Sequence, residues 1–212
     1  MAWGLSREEQ WDIQLGEGVI LTLGIVTLLV MGVVAGALAV NHLEAGQRQE
    51  LYALVDNFVY GMAHEPWKLN PSGILSKSLA GSLKTAGALW LLGLTVVGIP
   101  VVCLITLVRG FLLGFTVGFL AFEMGWKGVV LSLASVFPQN LLAVPALLVL
   151  AISSVSFSLY LVRRRSSRIP LAKEFTRYSM IALACCVALV VSCVIEAYLV
   201  PPLMTWVSRL LS

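Results

Sequence analysis

Residues 18–40 read GVILTLGIVTLLVMGVVAGALAV, a run of 23 residues with no charged side chain. About 20 apolar residues in a helix span the hydrocarbon core of a bilayer. The run is longer than the apolar region of a signal peptide, and the charged residues before it are mainly acidic, whereas a signal peptide begins with basic residues. We therefore predict a retained membrane helix rather than a cleaved leader.

The composition of the whole chain agrees with this interpretation. Of the 212 residues, 59% are hydrophobic and 12% are charged, whereas soluble domains have about 45–50% apolar and about 25% charged residues. Disorder is excluded because it requires low hydrophobicity and high net charge. We predict an all-α fold, a polytopic integral membrane helical bundle. Residues 1–212 would form a single membrane domain with about five transmembrane helices plus short interfacial or re-entrant helices.

Four further apolar segments follow the first: Thr85–Val108, Gly110–Phe122, Leu141–Val162 and Tyr178–Val200. The third segment rises only about 20 Å as a helix, or about 24 Å if it extends through Gly125. The next stretch, Trp126–Phe137, is apolar but too short to span. One interpretation is a half-helix that dips back into the membrane before Pro138 breaks it.

Basic residues cluster between the last two predicted spans: Arg163, Arg164, Arg165, Arg168, Lys173 and Arg177. By the positive-inside rule, residues 163–177 form a cytoplasmic loop. Five spans then place residues 1–17 inside, and residues 41–84 and the C-terminus outside. With four spans the N-terminus would lie outside, and the later loops would keep their positions. Because most of the positive charge lies in this short loop and not in a stripe over a folded domain, no nucleic-acid partner is expected.

The predicted external segment carries apolar residues at the spacing of one helix face: Leu51, Leu54, Val55, Phe58, Val59 and Met62. Such a stripe rests on the membrane or the bundle, or binds a partner. We take Leu51, Leu54, Val55, Phe58 and Met62 as candidate partner-binding residues. Asn70 and Pro71 are typical of a helix start, so the second span is expected to begin as a helix that projects outside the bilayer.

Glycines at every fourth position form smooth ridges on two segments: Gly32 and Gly36 on the first, and Gly110, Gly114 and Gly118 on the third. Small residues let membrane helices approach closely, so both ridges are candidate helix-packing surfaces. Association of the chain with itself is left open. Pro100 is predicted to kink the second span near its middle. Pro138 begins the fourth span, where Gln139 and Asn140 are candidates to satisfy freed backbone groups.

No pattern of catalytic or metal-binding residues is recognisable. The four cysteines lie in apolar runs without paired CxxC spacing. His42 and Glu44 form an H-x-E, but the P-C-x-x-C of zinc deaminases is missing. The aspartates, Asp12 and Asp56, lie outside the predicted spans. We therefore expect no catalytic residue, no metal and no cofactor, and a protein that is not an enzyme.

Ionisable residues within or near spans are functional candidates by default. Three qualify: Arg109, Glu123 and Glu196. Arg109 is predicted at the inner boundary of the membrane, and both glutamates near the outer boundary. Long side chains reach the interface easily from such positions, so we interpret all three as interfacial anchors.

Several short motifs occur in the order that a known family shows: LWLLGLT at 89–95, GIP at 98–100, RGF at 109–111, GFTVGF at 114–119 and PQNL at 138–141 with Pro145. The chain resembles the stage II sporulation protein M family, most clearly over residues 80–165. The resemblance implies a polytopic membrane protein of endospore-forming bacteria that acts in engulfment. It would anchor stage II sporulation proteins D and P, which degrade peptidoglycan, without catalytic residues of its own.

The leading prediction is thus a non-enzymatic scaffold in the cytoplasmic membrane of the mother cell, at the septum. Its partners would be membrane lipids, protein P by direct contact and protein D through the complex. The alternative is a transporter or permease component, since the family has a distant likeness to membrane subunits of ABC-2 type exporters. A transporter predicts a polar, substrate-sized cavity near the membrane midplane. A scaffold predicts a closed bundle with an exposed outer patch.

Overall fold

A computed structural model of the protein describes residues 7–44, 46–47, 49–51, 53, 71–163 and 171–211. These residues form α1 (Arg7–Ala39) with a 3-10 turn after it (Val40–His42), α2 (Pro71–Gly93), α3 (Gly98–Arg163), α4 (Leu171–Tyr198) and α5 (Val200–Leu211). By length and composition, three stretches of the described helices can cross a membrane: Gly18–His42, Gly98–Val162 and Leu171–Val207. The predicted all-α membrane bundle is confirmed.

The longest helix, α3, folds back on itself at Gly125. A straight helix of its 66 residues would reach about 100 Å, roughly three times the apolar core of a bilayer. Gly125 has φ 57° and ψ −133°, a conformation that essentially only glycine adopts. Beyond it the chain runs back beside the residues that precede the glycine. The evidence is the closeness of residues 120 and 128: a Cβ on Gly128 would collide with the carbonyl oxygen of Leu120. We call residues 98–124 the first arm of α3 and residues 126–163 its second arm.

The predicted second span, Thr85–Val108, is wrong in its extent. Helix α2 ends at Gly93, residues 94–97 form a turn, and α3 begins at Gly98. Residues 98–108 therefore belong to the first arm, which rises about 40 Å as a helix. The third predicted segment, Gly110–Phe122, is thus only the later part of this arm, which accounts for its short length.

The prolines do not kink or end the helices at the positions that the sequence predicts. Pro100 lies in the first turn of α3, where a missing N–H removes no helical hydrogen bond, so the chain turns just before it. Pro138 lies inside the second arm, which continues past it, and Trp126–Phe137 is the start of that arm rather than a re-entrant half-helix. Asn140 lies one helical turn past Val136 and donates from Nδ2 to its carbonyl oxygen at 2.8 Å.

Helix directions follow from the residues that are in hydrogen-bond contact. The second arm runs parallel to α2, because Ser154 meets Leu89 and Ser158 meets Thr95. Helix α4 runs antiparallel to α2, because Ser78 meets Glu196 while Ser82 meets Cys193. The buried apolar core between these helices includes Leu89, Leu150 and Leu189.

Helix α1 runs parallel to the first arm of α3, since Gly32 lies against Leu107 and Gly36 against Phe111. The bundle therefore has two distinct ends. One end carries the turn 94–97 and the ends of α3 and α4 that flank the basic run, and we call it the basic end. The other carries Gly125 and α5, and we call it the Gly125 end. The prediction of five spans requires the helices to run in these directions between the two ends. Which of the two ends faces the cytoplasm stays a prediction.

Candidate functional site

The two glycine ridges face each other across α1 and the first arm of α3, and we call this contact the glycine seam. A Cβ on Gly32 would collide with the carbonyl oxygen of Leu107, and a Cβ on Gly114 with that of Val33. Equivalent collisions hold for the neighbouring glycines of both ridges, Gly36 and Gly110, and Gly118 lies against Ala37. The two backbones are therefore in direct contact, which is how small residues favour helix association in lipid.

Within the described part of the chain, α1 packs mainly on α3. From residue 18 onward the opposite face of α1 is exposed, as Ile20 and Met31 show with exposures of 70% and 57%. In a membrane this face is available to lipid. The seam thus joins α1 to α3 at the glycines, and Ile25 of α1 is buried in the apolar core.

A group of hydroxyls holds the end of α2 at the turn 94–97. The last carbonyls of any helix have no partner within the helix. Tyr178 places its Oη 2.9 Å from the carbonyl oxygen of Trp90. Ser154 donates from Oγ to the carbonyl oxygen of Leu89 at 2.9 Å, and Ser158 donates to that of Thr95 at 2.8 Å. We call this arrangement the hydroxyl-capped turn.

The sequence motifs around this turn now have a structural reason. A Cβ on Gly93 would collide with the Tyr178 hydroxyl, and a Cβ on Gly98 with the carbonyl oxygen of Leu92. The ring of Phe157 stacks on that of Tyr178, with centroids 4.8 Å apart and planes at 6°. Sequence reasoning missed Tyr178, because nothing in the local pattern links it to a turn some 85 residues earlier.

A polar cluster joins α2, α4 and the second arm of α3 on the side of the Gly125 end. Its centre is the carboxylate of Glu196, which accepts a hydrogen bond from Oγ of Ser78. With the Gln139 amide oriented so that its nitrogen faces this carboxylate, Nε2 donates at 2.8 and 3.1 Å to the two oxygens. Ser192 donates from Oγ to the backbone carbonyl of Gln139 at 2.7 Å. One carboxylate thus bonds to two other helices.

Cys193 extends the polar cluster along α4. Its Sγ lies 3.4 Å from Oγ of Ser82 and 3.5 Å from Oγ of Ser78. The thiol is buried and carries no disulfide. Because both serines belong to α2, these contacts add to the attachment of α2 to α4.

Arg109 faces the same region from the first arm of α3, and its charge interacts with that of Glu196. The prediction that Arg109 lies at the inner membrane boundary is wrong: it lies in the middle of the arm, beside Thr85 and Leu147. Its Nε is buried without a hydrogen-bond partner. The adjoining cavity measures about 20 Å³ and is also lined by Thr106, which is room for about one water molecule.

The described residues contain no group of three or more histidine, cysteine, aspartate or glutamate side chains that could hold a metal ion. The polar groups at the capped turn and in the polar cluster bond mainly to backbone carbonyls or to one another. Their chemistry is that of helix-to-helix attachment.

The Gly125 end carries a small apolar cluster and exposed aromatic rings. Val200, Met204 and Val207 of α5 pack against Leu120 and Leu131 of the two arms. Beside them the most exposed large side chains are aromatic, namely Trp126 at 78% and Trp206 at 63%. Tryptophan is favoured at membrane–water interfaces, so this end is built to lie at a bilayer surface.

The predicted partner-binding stripe falls mostly outside the described residues. Leu51 is helical and half-buried. Leu54, Val55, Phe58 and Met62 lie outside the part of the chain that the structure describes.

Comparison with known proteins places the chain. The family model of stage II sporulation protein M matches residues 25–201. That range contains the glycine seam, the hydroxyl-capped turn and the polar cluster. No curated protein and no solved structure shows significant similarity to the chain. Because the family model covers most of the sequence, as the motifs at residues 89–141 predicted, the chain belongs to the stage II sporulation protein M family.

Proposed function

We propose that this sporulation-related membrane protein is a non-enzymatic scaffold in the mother-cell membrane at the septum. It holds the peptidoglycan-degrading machinery during engulfment by recruiting stage II sporulation protein P directly and protein D through the complex. The observation that carries the proposal is the use of the polar groups inside the bundle. At the capped turn and in the polar cluster they attach helices to one another.

The hydroxyl-capped turn illustrates this use. Ser154 is fully buried and bonds to two backbone carbonyls, those of Leu89 and Leu150. A nucleophilic serine would instead need a neighbouring base to take its proton. Its nearest side-chain partner is the hydroxyl of Tyr178 at 3.0 Å, which is no such base. The turn therefore supports a structural role.

The Gly125 end is the surface that a scaffold would offer. If the basic run is cytoplasmic, this end lies outside the cell membrane, where a wall hydrolase works. The predicted amphipathic stripe of residues 51–62 lies in the chain between α1 and α2, whose adjoining ends are both at the Gly125 end. A partner that binds there would be held close to the membrane surface.

The test is recruitment of protein P by a variant whose predicted stripe carries charge. Leu54→Asp with Phe58→Asp should release protein P from the septum and from pull-downs of sporulating cells in mild detergent. The matched control, Gln49→Asp with Asn57→Asp, adds the same charge off the stripe and should leave recruitment intact. Normal septal localisation of protein P in the first variant, with the scaffold inserted at normal levels, would overturn the proposal.

A second candidate, a component of a transporter, draws on one observation. Arg109 and Glu196 are charged groups between helices, and such groups mark ion or substrate pathways in many membrane proteins. Glu196→Gln distinguishes the two functions, because it removes the charge but keeps an oxygen that accepts hydrogen bonds. A transport pathway that uses this carboxylate predicts loss of sporulation at normal protein level. A scaffold predicts sporulation close to wild type.

A further inference from the structure

A second cavity, of about 240 Å³, opens at the basic end between the second arm of α3 and α4. One part of its wall carries three hydroxyl side chains, Ser153, Ser156 and Tyr160. Arg177 and Glu174 line it from α4. The cavity therefore combines several hydrogen-bond donors with a guanidinium group.

The charge of Arg177 is only weakly neutralised. Its Nη1 lies 4.0 Å from Oε1 of Glu174, at the limit of an ion pair, and its side chain is 73% exposed. Exposed pairs of this kind contribute about 0–1 kcal/mol. The fork of guanidinium donors thus stays available to an anion, and guanidinium matches phosphate geometry well.

The rest of the cavity is apolar. Ile152 and Ile181 line it on the side toward the middle of the bundle. Exposed apolar side chains of both helices, Val149 and Met180, continue that surface toward lipid, with exposures of 48% and 67%. A ligand that matches the whole cavity has an anionic head and a hydrocarbon tail.

The predicted cytoplasmic orientation of the basic end would place the cavity where anionic lipids collect. It lies at the basic end of the bundle, next to the segment that carries six basic residues within positions 163–177. Basic pockets between membrane helices on the cytoplasmic side bind anionic headgroups, and each cation near the surface adds about 1 kcal/mol. Helix position, charge and cavity lining therefore point to the same ligand class.

We propose that this cavity is a binding site for an anionic phospholipid. Its phosphodiester lies between Arg177 and the hydroxyls of Ser156 and Tyr160, and an acyl chain follows Ile152 and Ile181. The site is independent of partner recruitment. It gives the protein a preference for membrane regions rich in anionic lipid.

The experiment uses the full chain purified in mild detergent. Its thermal unfolding is followed with added phosphatidylglycerol, phosphatidylcholine or inorganic phosphate. We expect stabilisation by phosphatidylglycerol alone. An equal shift with phosphatidylcholine would show general lipid solvation, and an equal shift with inorganic phosphate would show an anion site without lipid; either result overturns the proposal.

A pair of variants locates the site. Arg177→Gln should weaken the apparent affinity for phosphatidylglycerol about fivefold, the factor that corresponds to one surface cation. The control, Lys173→Gln, removes the same charge from an exposed position of α4 outside the cavity. Tyr160→Phe with Ser156→Ala should weaken binding without any change of charge. Equal losses in Arg177→Gln and Lys173→Gln would mean diffuse attraction rather than this cavity.

Discussion

The hydroxyl oxygen of Tyr178 lies 2.9 Å from the carbonyl oxygen of Trp90, although these residues belong to different helices and are far apart in the sequence. The Tyr178 hydroxyl supplies a hydrogen-bond donor to a carbonyl at the end of α2 that has no donor within its own helix. Tyr178 is 3% exposed, so no water replaces it. The relationship fixes where α2 stops and where the chain turns back.

Tyr178→Phe should therefore destabilise the protein although the ring stays stacked on Phe157. A buried carbonyl left without a donor costs about 1–3 kcal/mol. Thermal or denaturant unfolding in detergent measures the loss. Tyr198→Phe, at a residue that is 58% exposed, is the control and should change little. Equal stability of the two variants would contradict the role given to the Tyr178 hydroxyl.

Gly114→Leu tests the glycine seam. A side chain at this position collides with the backbone of Val33, so α1 must move away from α3. We expect lower folded yield and a loss of stability of roughly 1–3 kcal/mol or more. Gly24→Leu makes the same change on α1 where nothing lies within 4 Å of a Cβ. If both variants unfold like the wild type, the seam does not hold α1.

Gly125→Ala tests the reversal of α3. Alanine at φ 57° and ψ −133° costs on the order of 1–3 kcal/mol in backbone strain, although Gly125 has open space around its Cβ position. The expected result is a lower unfolding temperature. Gly81→Ala, at an open position inside α2, should be neutral or stabilising, since alanine is the better helix former. Equal behaviour would contradict the strained turn.

Glu196→Leu tests the polar cluster. The substitution leaves Ser78 and Gln139 without their acceptor and Arg109 without its counter-charge. Interhelical hydrogen bonds in membranes contribute about 0.6 kcal/mol each and at most about 1.7, so we expect a loss of about 1–3 kcal/mol for the cluster. Glu44→Leu, at an exposed residue, is the control. Unchanged unfolding of the Glu196 variant would show that the cluster contributes nothing to helix attachment.

Orientation is tested by cysteine labelling on a cysteine-free background. Because of the basic run, a cysteine at Ser166 should resist a membrane-impermeant reagent in intact cells and react after the membrane is opened. A cysteine at Gly46 should react in intact cells. Labelling of the Ser166 site in intact cells would reverse the topology and place the lipid cavity in the outer leaflet.

The sequence by itself determined the class of the protein. Several apolar runs as long as residues 18–40 are typical of a membrane protein, because each is long enough to span the hydrocarbon core of a bilayer. The start of α2 was readable from Asn70 and Pro71, since proline fits the first turn of a helix. The order of motifs between residues 89 and 141 was enough to recognise the family.

Tertiary structure alone decided where the apolar segments end. The turn at residues 94–97 is itself apolar apart from Thr95, because backbone N–H groups of Gly98 and Ile99 and the hydroxyl of Ser158 from another helix bond to its carbonyls. The reversal at Gly125 was equally hidden, since a lone glycine next to apolar residues also fits a continuous helix. The hydropathy pattern of a sequence shows only which segments are apolar. Both turns have apolar neighbours, so neither turn interrupts that pattern.

The polar groups were decided in the same way. Arg109 follows an apolar run and is typical of an interfacial anchor, yet the reversal at Gly125 places it between helices. Glu196 meets Gln139 only because α4 packs antiparallel to the second arm in one register. Sequence shows which residues are polar inside a membrane protein. The packing of the helices decides which of them meet, because each contact joins residues that are distant in the chain.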